Sequence, residues 1–359
     1  MYNYVYKSAL ENLEKFWNRE NVDRCVLAVT APLTEKQYRK PKSLEEKWLD
    51  AEFIYQKFKF NVENTYFCAD AAPMFFTNLG PGVLSACVGG DFVLAENTIW
   101  FDKNPIVTDW NNLPDIRFYE ESKMWKHIIR LQNRFLHDKN TNVSVTDLGG
   151  TLDIIASLRG TEELLFDLYD NPKHVKALVK KVNKIWFDAF NRQIELVGST
   201  GLPYNNWMNI PSSKPWFPLQ CDFSAMISPA QFEEFVLPGL IEQTNYMERS
   251  IYHLDGCGAI PHLDMILDIP KLTGIQWTAG AGQPPLWAEC WLDMYKKIQS
   301  KKKNLVLLDG LSEHDKTGAE KLIKTLDPTG LYISAGCCNK AAAERLTECV
   351  FSWYKGRRK

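Results

Sequence analysis

The sequence predicts an α/β fold, a single (β/α)8 TIM barrel, and three observations point to it. Eight short β-type runs, at 65–70, 143–147, 203–206, 219–222, 251–255, 274–277, 304–309 and 331–337, alternate with helix-patterned segments. Most are followed within a few residues by Gly or Pro. Five of the eight end on an acid, namely Asp70, Asp147, Asp222, Asp255 and Asp309. Strands alternating with helices make a parallel sheet, and eight such units favour closure. Strand C-termini then converge on one face, where ligands bind. A ring of acids there is costly unless it binds something, so the pattern predicts an enzyme.

The elements follow in order. Leu10, Leu13 and Trp17 recur at helical spacing, predicting an amphipathic helix over 4–18. An apolar run at 25–30 reads as an extra strand, and 43–60 as a helix opened by Ser43 with Glu46 three residues on. Residues 1–62 are therefore expected to form a helical extension of one domain spanning 1–359. The first barrel strand is expected at 65–70. Residues 71–119 are irregular and rich in Gly, Pro, Asn and aromatics, which predicts a lid-like insertion covering the barrel mouth. Beyond 120, helices are predicted over 120–138, 151–158, 161–170, 172–198, from Ser228-Pro229, and over 259–267, 286–300, 314–326 and 339–355.

Composition narrows the function. The chain has 359 residues, 45% of them apolar, and a net charge of −2, which gives no electrostatic footprint for nucleic acid. No apolar stretch approaches the ~18 residues needed to span a bilayer, so no membrane association is expected. The polar N-terminus does not read as a secretory signal. Nine irregularly spaced cysteines predict free thiols and a cytoplasmic location. No dinucleotide fingerprint, phosphate loop or nucleophile elbow is present.

The sharpest local signal is Tyr252-His253-Leu254-Asp255-Gly256-Cys257. Alternate strand residues share a face, so His253 and Asp255 are expected to point together into the mouth. They can be two metal ligands, or an acid/base histidine with its orienting carboxylate. Cys337 ends the eighth run, and His253, Asp255 and Cys337 together would suit Zn²⁺ with one open position. Against this, Cys337 also reads as a small core residue and His253 as a hydrogen-bonded pocket residue. Asp222 follows Gln220 on one strand face and reads as a general base, a substrate clamp or a loop-stabilising acid. Asn206, Trp207, Gln220, Tyr252, Gln276 and Trp277, with Asp70, Asp147 and Asp309, are the expected substrate-binding set.

At these residues the chain resembles the uroporphyrinogen decarboxylase superfamily, which includes corrinoid-linked zinc methyltransferases. The carriers are Asn78-Leu79-Gly80-Pro81-Gly82-Val83-Leu84, Asp222 followed by Ser228-Pro229, Phe232, Phe235 and Pro238, then His253-Leu254-Asp255-Gly256, and Gly336-Cys337 before the last helix. The stretch from Thr30 to Glu35 lacks the arginines that neutralise porphyrin carboxylates in the decarboxylases. In the methyltransferases the histidine is followed two residues later by a cysteine; Asp255 stands there instead. The resemblance implies a zinc-dependent methyltransferase moving a methyl group between a small substrate and a thiol or a corrinoid carried by a partner protein. Its expected ligands are His253, Asp255 and Cys337, with Cys257 as an alternative. Two other readings stand beside it. One is a metal-free lyase or hydrolase using Asp222, Asp255 and His253 on a polyhydroxylated molecule. The other is a non-catalytic ligand-binding barrel.

Overall fold

A computed structural model describes residues 2–138 and 141–355; residues 356–359 of the basic tail lie outside it. The strands are β1 (Val26–Pro32), β2 (Thr65–Ala69), β3 (Val93–Leu94), β4 (Ile99–Trp100), β5 (Trp216–Gln220), β6 (Arg249–Asp255), β7 (Gly274–Thr278), β8 (Asn304–Leu307) and β9 (Leu331–Gly336). Seven form one sheet in the order β2-β1-β9-β8-β7-β6-β5. From β1 to β5 every pairing is parallel, while β2 runs antiparallel to β1 at the edge. The architecture is thus mixed α/β with a mostly parallel sheet. Among the described residues no ladder joins its two edges.

Alternation along each strand separates two cores. Val26, Ala28, Trp216, Ile251, Val306 and Tyr332 pack on one face against Leu13, Phe16 and Trp17 of the helix Tyr2–Trp17. Leu27, Leu219, Leu254, Ile275, Leu307 and Ile333 face the other way into the larger core shared with the flanking helices. The first helix therefore plugs the N-terminal end of the concave face. Most predicted helices are present with small boundary shifts, including Thr151–Arg159, Thr161–Asp170, Pro172–Gly198 and Pro229–Phe235, the last opened by a Ser228–Gln231 capping box; the one expected at 43–60 is split at Asp50, and those at 259–267 and 286–300 become α-helical only at Leu263 and Leu292, after 3-10 turns.

Three expectations change. The run at 25–30 is no extra: as β1 it lies between β2 and β9, inside what reads as a helical extension. The run at 65–70 is not a parallel barrel strand but the antiparallel partner of β1, so its C-terminus lies at the opposite end of the sheet from the other strand ends. There Asp70 is buried, accepts from Leu27 N at 2.9 Å and Asn12 Nδ2 at 2.8 Å, and pairs with both Nη atoms of Arg24.

The runs at 143–147 and 203–206 are extended but form only single bridges, Phe75 with Val143 and Tyr204 with Ser212. Side chains satisfy groups that a ladder would use. Thr77 N donates to Ser144 Oγ, Thr146 N to Gln193 Oε1 and Asn206 N to Asn205 Oδ1. Backbone bonds from Ser144 N to Phe75 O and from Val145 N to Asn205 O still tie these segments together.

The insertion is anchored beside this region. Val83 N donates to Asp147 O, and the 148–150 turn meets Gly82 so closely that a Cβ on Gly149 would lie 2.6 Å from Gly82 Cα. Gly149 also has φ +83, so two constraints exclude a side chain there.

Replacing Asp70 with Asn strands the Arg24 guanidinium and is expected to cost about 3 kcal/mol in urea unfolding. Because Asp70 lies at the far end of the sheet, divalent-cation affinity should not change. An Asp70→Asn protein of normal stability would refute its assignment as a structural anchor.

Candidate active site

The site is built on three consecutive parallel strands. The register pairs Gln220 of β5 with His253 of β6, and His253 with Gln276 of β7. The three side chains therefore form a row on the concave face. One step further along, Asp255 pairs with Thr278, and Asp222 opens the short 3-10 turn that follows β5. The ligand atoms of Asp222, His253 and Asp255 all lie within 4.8 Å of one another. As a whole residue Asp222 is exposed, although protein atoms crowd its carboxyl, and His253 and Asp255 are half-buried.

The histidine is held from two sides. Its Nδ1 is hydrogen-bonded to Gln276 Oε1. The Gln276 amide cannot turn round, because its Nε2 donates to Trp277 O at 2.7 Å and to Thr278 Oγ1 at 2.9 Å. Nδ1 is then the protonated nitrogen, which leaves the Nε2 lone pair for a cation or substrate. Trp207 packs edge-on against the imidazole, with centroids 5.0 Å apart and an interplanar angle of 84°. Burial lowers the His253 pKa, opposed by the Gln276 hydrogen bond and the charges of Asp255 and Asp153, so the neutral imidazole is favoured.

Asp153, which the sequence reading passed over, belongs to the site. It lies in the first turn of the helix Thr151–Arg159. Its Oδ2 accepts from Asp222 N at 3.1 Å and its Oδ1 from Phe223 N at 2.8 Å. The approach needs Gly150: a Cβ there would sit 2.2 Å from Gln220 O. That glycine, close after Asp147, was the available signal. Asp147 completes the group, with Oδ1 accepting from Gly149 N at 2.9 Å.

The electrostatics follow from four carboxylates close together. Burial first, then the charge of Asp222, pushes Asp153 up to about 7. Burial, with a smaller effect from Asp153, pushes Asp147 up to about 7. Asp222 also rises to about 7, from loss of water around its carboxyl and then the charges of Asp255 and Asp147. Among the described residues none of the four forms an ion pair with lysine or arginine. Such a nest must hold protons, a cation or both.

The remaining expected residues divide by strand parity. Gln220, Gln276 and Trp207 adjoin His253, and Asn206, buried, precedes Trp207 in the chain. Tyr252 and Trp277 lie on the opposite face, in the core shared with the helices, and Trp277 packs on Trp291. Cys337 is buried in that same core, its N–H donating to Thr30 O, and burial pushes its thiol up to about 11. It is not among the clustered ligand atoms, so the expected His253–Asp255–Cys337 set is not brought together; Asp222 takes the third place. Cys257 is exposed, with its Sγ beside Ala279 O, and it too lies outside the cluster. Asp309 is exposed just after β8, where its N–H donates to Ser334 Oγ. Asp70 is at the other end of the sheet.

No family model and no curated protein sequence matches the chain. A solved structure of a methyltransferase from Methanosarcina mazei superposes with a TM-score of 0.59, covering 97% of this chain and 99% of its own, at 11% identity. At that identity the likeness establishes a shared fold over nearly the whole length. Among the described residues no helix is long and apolar enough to cross a membrane.

Asp147, Asp153 and Asp222 bind protons more tightly folded than unfolded, their pKa values rising from 3.8 to about 7. Their contribution to stability is full below the unfolded value and is lost as pH rises from 3.8 towards about 7. Metal-free protein should show a Tm that falls from pH 5 to pH 7 and then levels. Asp222→Asn should flatten the slope. A Tm that rises across this range would contradict the buried-acid description.

Proposed function

We propose that the chain is a group-transfer enzyme, a methyltransferase acting on a small molecule, with a divalent cation held by Asp222, His253 and Asp255. The observation that carries this reading is the convergence of those three side chains on one point at the strand ends. One imidazole and two carboxylates fit a divalent metal, zinc included, but form a harder set than one containing thiolates. When bound, the cation supplies Lewis acidity toward an oxygen or nitrogen of the substrate. The family resemblance and the shared fold support methyl transfer. The implied methyl carrier is a thiol or a corrinoid on a partner protein. Closure of the sheet into an eight-stranded barrel, with 71–119 covering its mouth, is part of the same proposal.

The chain's own residues have definite tasks here. Gln276 fixes the imidazole tautomer, and Trp207 fixes its ring plane. Asp153 clamps the backbone at Asp222 and so aims that carboxylate. In metal-free protein Asp222, raised to about 7, would give or take a proton; as a ligand it would be held ionised and would serve the cation only as an anionic oxygen donor. Asp147 adds negative potential that favours a cation.

One observation also favours a metal-free lyase or hydrolase. Asp222 is raised to about 7 with Asp255 close by, which is the pairing an acid/base couple needs.

Metal analysis after gentle purification, followed by titration of stripped protein with Zn²⁺ and Mn²⁺, separates the two. Stoichiometric binding is expected, with proton release and an affinity that rises from pH 6 to pH 8. His253→Ala should weaken binding by more than about 100-fold and Gln276→Leu by about 10-fold. Cys337→Ser should leave affinity unchanged. No binding by wild type, or loss of metal in Cys337→Ser, would remove the cation site as drawn; the first result would promote the acid/base reading.

A further inference from the structure

We propose that the ligand of this site is an uncharged, hydroxyl-bearing small molecule, held by Gln220, Asn206 and Trp207 around His253, and not a carboxylate or phosphate. The inference rests on the Proposed function for the place of the reacting group, but it draws on different atoms.

Three buried polar atoms on residues next to the histidine, or next in sequence to one that touches it, have no partner in the protein: Gln220 Oε1, Trp207 Nε1 and Asn206 Nδ2. Gln220 is 5% exposed and Asn206 1%. Neighbouring amides are well used. Gln276 bonds to His253, Trp277 and Thr278, and Asn206 Oδ1 accepts from Met208 N. Unsatisfied buried groups are rare and costly, so a set gathered around one side chain marks where a ligand's own groups complete the network.

Position supports this. Gln220 is the cross-strand neighbour of His253, and Trp207 lies against the imidazole, with Asn206 the preceding residue. The three atoms comprise one acceptor and two donors. A hydroxyl is the smallest group that serves both kinds, donating to Gln220 Oε1 while accepting from an N–H. A polyol offers several at the right spacing. A carboxylate or a fully ionised phosphate could only accept, so with the Gln220 amide in its present orientation Oε1 would go unmet.

Charge gives the second argument. Asp147, Asp153, Asp222 and Asp255 surround the position, and among the described residues none has a lysine or arginine partner. A divalent cation bound to the trio would offset only the two carboxylates that hold it. An anionic ligand would still lie beside Asp147 and Asp153, which share protons near neutrality, without a basic side chain to receive it. Sites built for anions present arginine forks, lysines or helix N-termini.

The test is calorimetric titration of wild type, metal-free and Mn²⁺-loaded, with erythritol, xylitol and sorbitol, each compared with its aldonate of equal carbon number. At least one polyol should bind at least 10-fold tighter than its aldonate. Gln220→Met, close in volume, should weaken that polyol by about 10-fold while Mn²⁺ affinity stays at the wild-type value. Gln220→Glu serves as a second variant of the same size; it should restore an acceptor and so retain more polyol binding than Gln220→Met. Aldonates binding as tightly as polyols, or no polyol binding to either form, would overturn the proposal. Selective polyol binding by a protein that takes up no metal would leave the ligand class standing and remove the cation from the Proposed function.

Discussion

The alternation of side chains along β5, β6 and β7 is the constraint on which the site depends. A parallel ladder in fixed register puts every second residue on the concave face, and a slip of one residue would reverse all of them. In this register Gln220, His253 and Gln276 fall in one row, with Asp255 opposite Thr278 above it. The same rule sends Tyr252, Leu254 and Trp277 outward to pack on helices. Close packing of those outer residues holds the register, since turning a buried Trp277 to the concave face would empty the helix-side core. The stability of the outer layer and the geometry of the inner row are therefore consequences of one set of hydrogen bonds.

A second layer of control comes from loops that approach the sheet without joining it. The turn after Asp147 lacks Cβ atoms at Gly149 and Gly150, and this lets it touch the insertion on one side and β5 on the other. Asp153 then reaches the backbone of Asp222 and Phe223. A carboxylate that accepts two backbone N–H bonds fixes the direction in which the following side chain leaves the strand. Asp153 thus has a mechanical role as well as an electrostatic one. The glycines that permit its approach have no chemistry of their own, yet the charge density of the site depends on them.

Much of this was legible in the sequence, for reasons that can be stated. Period-2 alternation places His253 and Asp255 together wherever β6 lies, so that pair could be read without the fold. The helices after residue 120 were equally plain, because caps such as Ser228-Pro229 act locally. What failed was anything that required a strand's direction. The run at 65–70 looks like its neighbours, but only its pairing with β1 shows that it runs backwards and carries Asp70 to the far end. Cys337 is a related case, since it follows Ile333 and Ala335 in alternation, both helix-facing, and that parity, legible in the sequence, differs from that of His253. Asp153 was hidden because its role depends on a backbone contact 69 residues away.

Exchanging a cysteine for Asp222 in the convergent set alters the chemistry that the site can support. Thiolates would give a soft, electron-rich centre suited to binding and ionising a thiol. Two carboxylates and an imidazole give a harder centre, whose attraction is for oxygen and nitrogen. The surroundings agree with that shift, since amide and indole groups near His253 seek hydroxyl-type partners while Cys221, next to Asp222 in the chain, faces the helix-side core. Acid proximity would be unfavourable in an empty cleft, and it is relieved by sharing protons near neutrality or by a cation. Proton sharing leaves Asp222 able to change protonation at little cost, which suits acid/base work, whereas a bound cation would hold it ionised and would leave stabilisation of charge on the substrate to the metal.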